Sequence, residues 1–329
     1  MKKRVFIATA SAIAILILAS GTPAYAAGNA IHAGDLMYSL NCDPVYNDFQ
    51  FFSVESSTAF STKIGNGTGE VSEGNACAGQ PAYNPATGAS YYIDRLFGGQ
   101  VGQNISLATV DRATGATTVI GQFTDAGNEA NPHPTIEAMA IGASGSAYAL
   151  GGGNLWSVNL ATAQLTFIVA GTVTNTFAFA ADPVTGDFVA IDENGAISTL
   201  NITDGTHSSI GTVVVPNTVY GVRSLQFDGA GTLWVEADTN EGQNTELWSF
   251  TRSTIAAPML SGIFADAPYF TEAVLIVPAA EKKAALANTG SAGFDLLPSA
   301  LGGGALVLGG TLMLASAQVR RRIGARTRS

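Results

Sequence analysis

The chain has 329 residues, 47% of them apolar and only 12% charged, with 25 acidic against 15 basic side chains. That is enough chain and enough apolar content for one large domain with a substantial core. Eight of the basic residues sit in the two terminal segments, so residues 27–289 carry 24 acidic and seven basic side chains, a net charge near −17; a body of that kind lacks the electrostatic footprint of a nucleic-acid binder or of a protein that lies on an anionic membrane.

The chain opens with Met1-Lys2-Lys3-Arg4, runs uncharged and apolar from Val5 to Ala19, breaks at Gly21-Thr22-Pro23 and reaches Ala24-Tyr25-Ala26. A basic start, a short apolar stretch and a small-x-small site, in that order, read as a secretory signal peptide over 1–26, cut between Ala26 and Ala27. The alternative, an uncleaved anchor, would need a longer apolar run. Two cysteines follow, Cys42 and Cys77. An even count in an oxidising compartment points to one disulfide, with two free thiols as the alternative. A bridge closing a loop of this size would add roughly 3–4 kcal/mol in the chain-entropy picture.

Residues 27–278 show short alternating or β-branched runs between Gly, Asp, Asn and Thr turns, the pattern of an all-β domain. The runs repeat. Gln80–Asn84, Thr135–Ile141, Thr176–Ala181 and Val222–Phe227 each lead through a turn ending at Gly88, Gly145, Gly186 or Gly231 into a second apolar run: Ser90–Asp94, Ser146–Leu150, Asp187–Asp192 and Thr232–Glu236. A further hairpin stands behind each, as in Leu107–Asp111 with Thr117–Gly121, or Ile197–Asn201 with Ser209–Val213. Four strands recurring every 40 to 57 residues is the spacing of a propeller blade. By strand pattern the body resembles the broad β-propeller superfamily, without a WD or kelch signature.

The ends of the body complete the count. Before Gln80 stand three strands, Asp35–Leu40, Phe49–Val54 and Ala59–Ile64, and after the last hairpin one strand, Phe270–Val277, is left over. If that strand becomes the innermost one of the first blade, the ring closes with five blades and hides the edges that would otherwise invite aggregation. A β-sandwich or open repeat is the rival fold, and strands hidden in Asn66–Gly79 would make six blades.

No catalytic constellation stands out. His32, His133 and His207 lack metal-ligand spacing, there is no G-x-S-x-G elbow, and Gly65-Asn66-Gly67-Thr68-Gly69 has no helix behind it to receive a phosphate. No cofactor or metal is expected. Asp94, Asp192 and Asp238 end second strands in similar positions, so a carboxylate pair in the central funnel, as in a glycoside hydrolase, is one reading; the competing reading is that Asp favours strand exits through its own backbone hydrogen bonds. Trp156, Trp234 and Trp248 lie on strands, where packing between blades competes with stacking on a sugar.

Residues 279–290 form a tether ending in Leu286-Ala287-Asn288-Thr289-Gly290, followed by an uncharged apolar segment within 291–319 and by Arg320-Arg321-Arg322 in the basic tail 320–329. The apolar segment is long enough to span a bilayer, and the arginines hold its end on the cytoplasmic side. This order resembles the sorting signal of Gram-positive cell-wall proteins, with Ala287 where the usual L-P-x-T-G has proline. The L-A-x-T-G form is similar to the variant handled by class E sortases. The resemblance implies attack of a sortase cysteine on the Thr289 carbonyl, loss of Gly290 with the anchor helix, and transfer of Thr289 to a peptidoglycan precursor. The expectation is therefore a cell-surface protein, held in the plasma membrane by its C-terminal helix until sorted, whose propeller binds a glycan or protein. A secreted glycosidase-like hydrolase and a structural wall protein without ligand are the alternatives.

Overall fold

The computed structural model describes residues 30–43, 48–65, 76–96, 105–128, 131–173, 175–192, 194–215, 218–239, 244–264 and 271–279. The signal peptide, the sorting pentapeptide, the anchor segment and the arginine tail lie outside these residues, as do the side chains of Cys42 and Cys77.

Five antiparallel sheets form a five-bladed β-propeller. Blade 1 runs, from the axis outwards, β21 (Thr271–Val277), β1 (Leu36–Asp43), β2 (Asp48–Glu55) and β3 (Phe60–Ile64). Blade 2 is β4 (Ala76–Tyr83), β5 (Ser90–Leu96), β6 (Ile105–Val110) and β7 (Thr117–Gln122). Blade 3 is β9 (Ala138–Ile141), β10 (Ala147–Gly151), β11 (Asn154–Val158) and β12 (Gln164–Ala170), with a fifth strand, β8 (Thr124–Asp125), added in parallel at its outer edge. Blade 4 is β13 (Thr176–Ala181), β14 (Phe188–Asp192), β15 (Ala196–Leu200) and β16 (His207–Thr212); blade 5 is β17 (Thr218–Phe227), β18 (Leu233–Thr239), β19 (Asn244–Phe250) and β20 (Met259–Ile263). The innermost strands touch one another in the cyclic order β21, β4, β9, β13, β17 and back to β21.

The ring closes as the leftover strand implied. β21 pairs with β1 from Leu36–Val277 to Asn41–Thr271. Asp35 locks this seam from a buried position: its carboxylate accepts from the backbone N–H of Ala279 and of Gly229, each at 2.6 Å, tying the two ends of the ring to a turn of blade 5. Ala76–Gly79 belong to the inner strand of blade 2, so that part of Asn66–Gly79 makes no extra blade.

Because a strand shows alternate residues to opposite faces, each blade buries one set against each neighbour. Along β18, Leu233, Val235 and Ala237 face blade 4, while Trp234 faces blade 1. Between blades 1 and 2 the rings of Tyr38 and Phe51 stack with centroids 5.0 Å apart. Near the axis, where blades crowd, alternate inner-strand residues are alanine: Ala138 and Ala140 on β9, Ala178 and Ala180 on β13.

The outer hairpins of blades 1 to 4 share a five-residue turn: Glu55–Ala59, Asp111–Gly115, Asn159–Ala163 and Asn201–Gly205. In the last three the first side chain accepts from the N–H two residues on, at 2.8–2.9 Å, an Asx turn. The fifth residue has positive φ: 56° at Ala59, 71° at Gly115, 59° at Ala163 and 71° at Gly205. This turn abuts the outermost strand of the preceding blade. At Gly115 an added Cβ would stand 2.7 Å from the Ile64 carbonyl oxygen, and at Gly205 it would stand 2.5 Å from Val169 Cγ1, so only glycine fits. At Ala59 and Ala163 the methyl is fully buried in the neighbouring core, and its burial of about 0.8 kcal/mol offsets much of the left-handed strain.

Candidate functional site

Inner strands are sheet edges, so their outward N–H and C=O groups need partners. Gln80, on β4 of blade 2, reaches across the ring: its Nε2 donates to the Phe179 carbonyl of blade 4 at 2.6 Å and to the Leu225 carbonyl of blade 5 at 3.1 Å. Its Oε1 accepts from Phe179 N–H at 2.7 Å. Gln226, on β17, returns the reach, donating to the Pro81 carbonyl at 2.8 Å. Both glutamines are buried. Pro81 suits this edge because it has no N–H to satisfy. The axis at this level is therefore a cross-linked plug.

The three aspartates singled out in sequence sit on blades 2, 4 and 5. Asp94 and Asp192 are in register: each stands four residues beyond the residue that opens its strand pairing at Ser90 or Phe188. Asp238 is one residue further along β18 than that position, which is filled by Ala237. The pairing register of Asp238 thus differs by one residue from that of Asp94 and Asp192, which counting by strand ends in the sequence ignores. The Asp238 side chain lies outside those described. Asp94 is buried beside Tyr92, whose phenol is pushed far above the ordinary tyrosine range, first by burial and then by the Asp94 charge. Asp192 Oδ1 accepts from the N–H groups of Asn194 and Ala196, both at 2.9 Å, and so closes the turn into β15. At the same end of the ring Glu137 bridges blades, accepting from Gly152 N–H and Thr176 N–H at 3.1 Å each.

All three tryptophans are buried with the indole N–H on a carboxylate: Trp156 on Asp125 at 3.0 Å, Trp234 on Asp228 at 3.2 Å, and Trp248 on Glu246 at 3.0 Å. Packing between blades is what they do. The three histidines are dispersed: His32 in the segment before β1 beside Asp35, His133 on the Phe123 carbonyl in the connection from blade 2 to blade 3, and His207 on β16. Among the described residues no group of three or more His, Cys, Asp or Glu could hold a metal ion.

A groove of about 550 Å³ lies at the outer edge of blade 3. The strand β8 builds it. Thr124 and Asp125 pair with Gln164 and Leu165 of β12, and then the chain turns away, with Asp125 Oδ1 accepting from Gly127 N–H at 3.1 Å. β12 continues beyond the point where β8 leaves it. The groove is lined by Asp125, Asn128, Gln164, Thr166 and Phe167 among others. Phe167 is 50% exposed and packs edge-on over Trp156, ring centroids 6.4 Å apart.

Sequence reading passed over both Gln80 with Gln226 and this groove. A glutamine inside an otherwise apolar inner strand, as in Ser224-Leu225-Gln226-Phe227, was the available signal for the plug. Strand β8 has two residues, too short for any periodicity.

No family model matches the sequence, and no curated protein matches it. Solved structures are similar in chain trace. A chain of a nidogen/laminin complex aligns over 74% of this protein and 98% of its own length, with 11% identity and a TM-score of 0.47. The hydrazine synthase of Kuenenia stuttgartiensis aligns over 56% of this protein and 49% of its own chain, at 14% identity and a TM-score of 0.35. A structural genomics protein of unknown function from Bacteroides thetaiotaomicron aligns over 67% and 57%, at 14% identity and a TM-score of 0.39. The identities are low and the superpositions partial.

Proposed function

We propose that this protein is exported, attached by a sortase to the peptidoglycan of a Gram-positive cell wall, and presents its propeller as a binding module for an extracellular glycan or protein. The observation that carries the reading is the ordered signal behind the ring: Leu286-Ala287-Asn288-Thr289-Gly290, an apolar span and an arginine tail, placed just after β21 closes the fold at Val277. The ring closes before the tether and the pentapeptide in sequence, and the L-A-x-T-G form favours a class E enzyme.

Binding is favoured over funnel hydrolysis by the glutamine plug and by the use of Asp192 as a turn cap. A retaining or inverting glycosidase needs two carboxylates about 5 to 10 Å apart around an accessible bond. The test of display is Thr289→Ala followed by cell fractionation. The variant is expected in the membrane fraction and culture medium, not covalently bound to the wall. Recovery of the variant from purified peptidoglycan at the level of the parent would overturn the sorting reading.

A further inference from the structure

We propose that the groove at the outer edge of blade 3 is a subsite for a neutral saccharide, with Phe167 as its stacking platform. The inference rests on the reading of the propeller as a binding module and gives that module a place and a ligand class.

The groove breaks the repeat of the ring. Among the described residues four blades are four-stranded, and blade 3 carries a fifth strand, β8, which the chain reaches through Phe123 after leaving blade 2. That connection is built with care. Asp125 is buried, its Oδ2 holds the Trp156 indole at 3.0 Å and its Oδ1 holds Gly127 N–H. Asp125 N–H donates to the Pro132 carbonyl at 2.8 Å, and Asn128 accepts from Asn131 N–H through its Oδ1 at 3.1 Å. The carboxylate thus serves the frame, while the other described side chains with polar or aromatic groups lining the groove are uncharged: the Gln164 and Asn128 amides, the Thr166 hydroxyl and the Phe167 ring.

That chemistry selects a class of ligand. A half-exposed aromatic ring supported from beneath by a fixed indole offers a flat apolar face with little entropy to lose. A sugar ring has such a face in its axial C–H groups, and its hydroxyls both donate and accept, as do carboxamides and a threonine hydroxyl. Among the described residues lining the groove there is no cation to pair with an anionic ligand. The volume of about 550 Å³ is in the range of small-ligand sites. The open edge of β12 beyond Leu165 could also receive a peptide strand. The uncharged amides beside an exposed ring favour the saccharide.

The test uses the purified full chain and a panel of neutral hexasaccharides of glucose, xylose, mannose and N-acetylglucosamine, titrated calorimetrically. At least one is expected to bind. Phe167→Ala should weaken that binding about tenfold, and Gln164→Ala by a smaller factor, while Phe177→Ala, an exposed ring on another blade, changes nothing. Circular dichroism and thermal melts matching the parent would show that both groove variants are folded, as expected for exposed side chains. Binding indifferent to Phe167→Ala and Gln164→Ala would overturn the site while leaving the module reading intact. Binding of no hexasaccharide by the parent, or capture of an unstructured peptide through the β12 edge instead, would overturn the ligand class. If displaying cells retain neither glycan nor protein, the module reading itself fails.

Discussion

The axis of the ring and the outer edge of blade 3 both leave strand edges to be dealt with, and they are treated in opposite ways. At the axis the inner strands are sealed by Gln80 and Gln226, which carry hydrogen bonds across the ring between blades 2, 4 and 5. At the edge of blade 3 a two-residue strand covers the start of β12 and then leaves Thr166 and Phe167 to solvent. The difference separates two jobs. Buried polar groups that are fully partnered stabilise and specify the fold. Exposed groups held on a rigid edge are available to a ligand. On the reading proposed above, binding belongs to the rim and stability to the axis.

The largest effect should come from breaking the plug. Gln80→Ala removes three hydrogen bonds and strands buried backbone groups of Phe179 and Leu225, so unfolding stability measured in urea should fall by about 3 kcal/mol. A loss below 1 kcal/mol would show that the axis is wet and the glutamine dispensable. Next is Gly115→Ala, which sets a methyl against the Ile64 carbonyl in a left-handed turn and should cost about 2–3 kcal/mol. Its counterpart Ala163→Gly should change stability by no more than about 1 kcal/mol, since strain relief and lost methyl burial oppose each other. Equal losses at the two positions would contradict the account of why one turn has glycine and the other alanine.

A pH-dependent effect follows from the latch between blades 4 and 5. Arg252 donates to Asp187 at 2.9 Å and to Asp182 at 2.8 Å. The hydrogen bond from Arg252, and then that from Thr185, hold the Asp187 carboxyl below its ordinary value near 3.8. A carboxylate whose value is lower in the folded state stabilises the fold above the unfolded value, and this contribution is lost as pH falls through the folded one. Asp187→Asn should therefore lower the melting temperature slightly near neutral pH, and the difference should vanish in acid well below the ordinary carboxylate range, flattening the acid limb. An unchanged difference between the two proteins from neutral to acid pH would sink this assignment.

The repeat made most of the fold legible. Gly88, Gly145, Gly186 and Gly231 mark the inner hairpin turns, all with positive φ, and the leftover strand ending at Val277 announced the closure. Strand limits were less legible: β4 begins at Ala76 and β17 at Thr218, several residues before the apolar runs that the sequence displays. Bulges explain this, since the pairing shifts between Ala78 and Pro81 and again between Thr218 and Ser224, and alternation is lost there. Gln80 was visible as a residue, but its partners are 99 and 145 positions away, and no local pattern encodes them.

The rim and the axis can be set against each other in one experiment. The full chain is incubated with a neutral hexasaccharide that it binds, beside Phe167→Ala and the double variant Asp94→Asn with Asp192→Asn, and both retention and cleavage of the sugar are followed. The account predicts that retention falls about tenfold in Phe167→Ala, persists in the aspartate variant, and that no chain cleaves the sugar. Cleavage by the parent that disappears with the two aspartates, with Phe167→Ala unaffected, would contradict it and move the function back to the funnel.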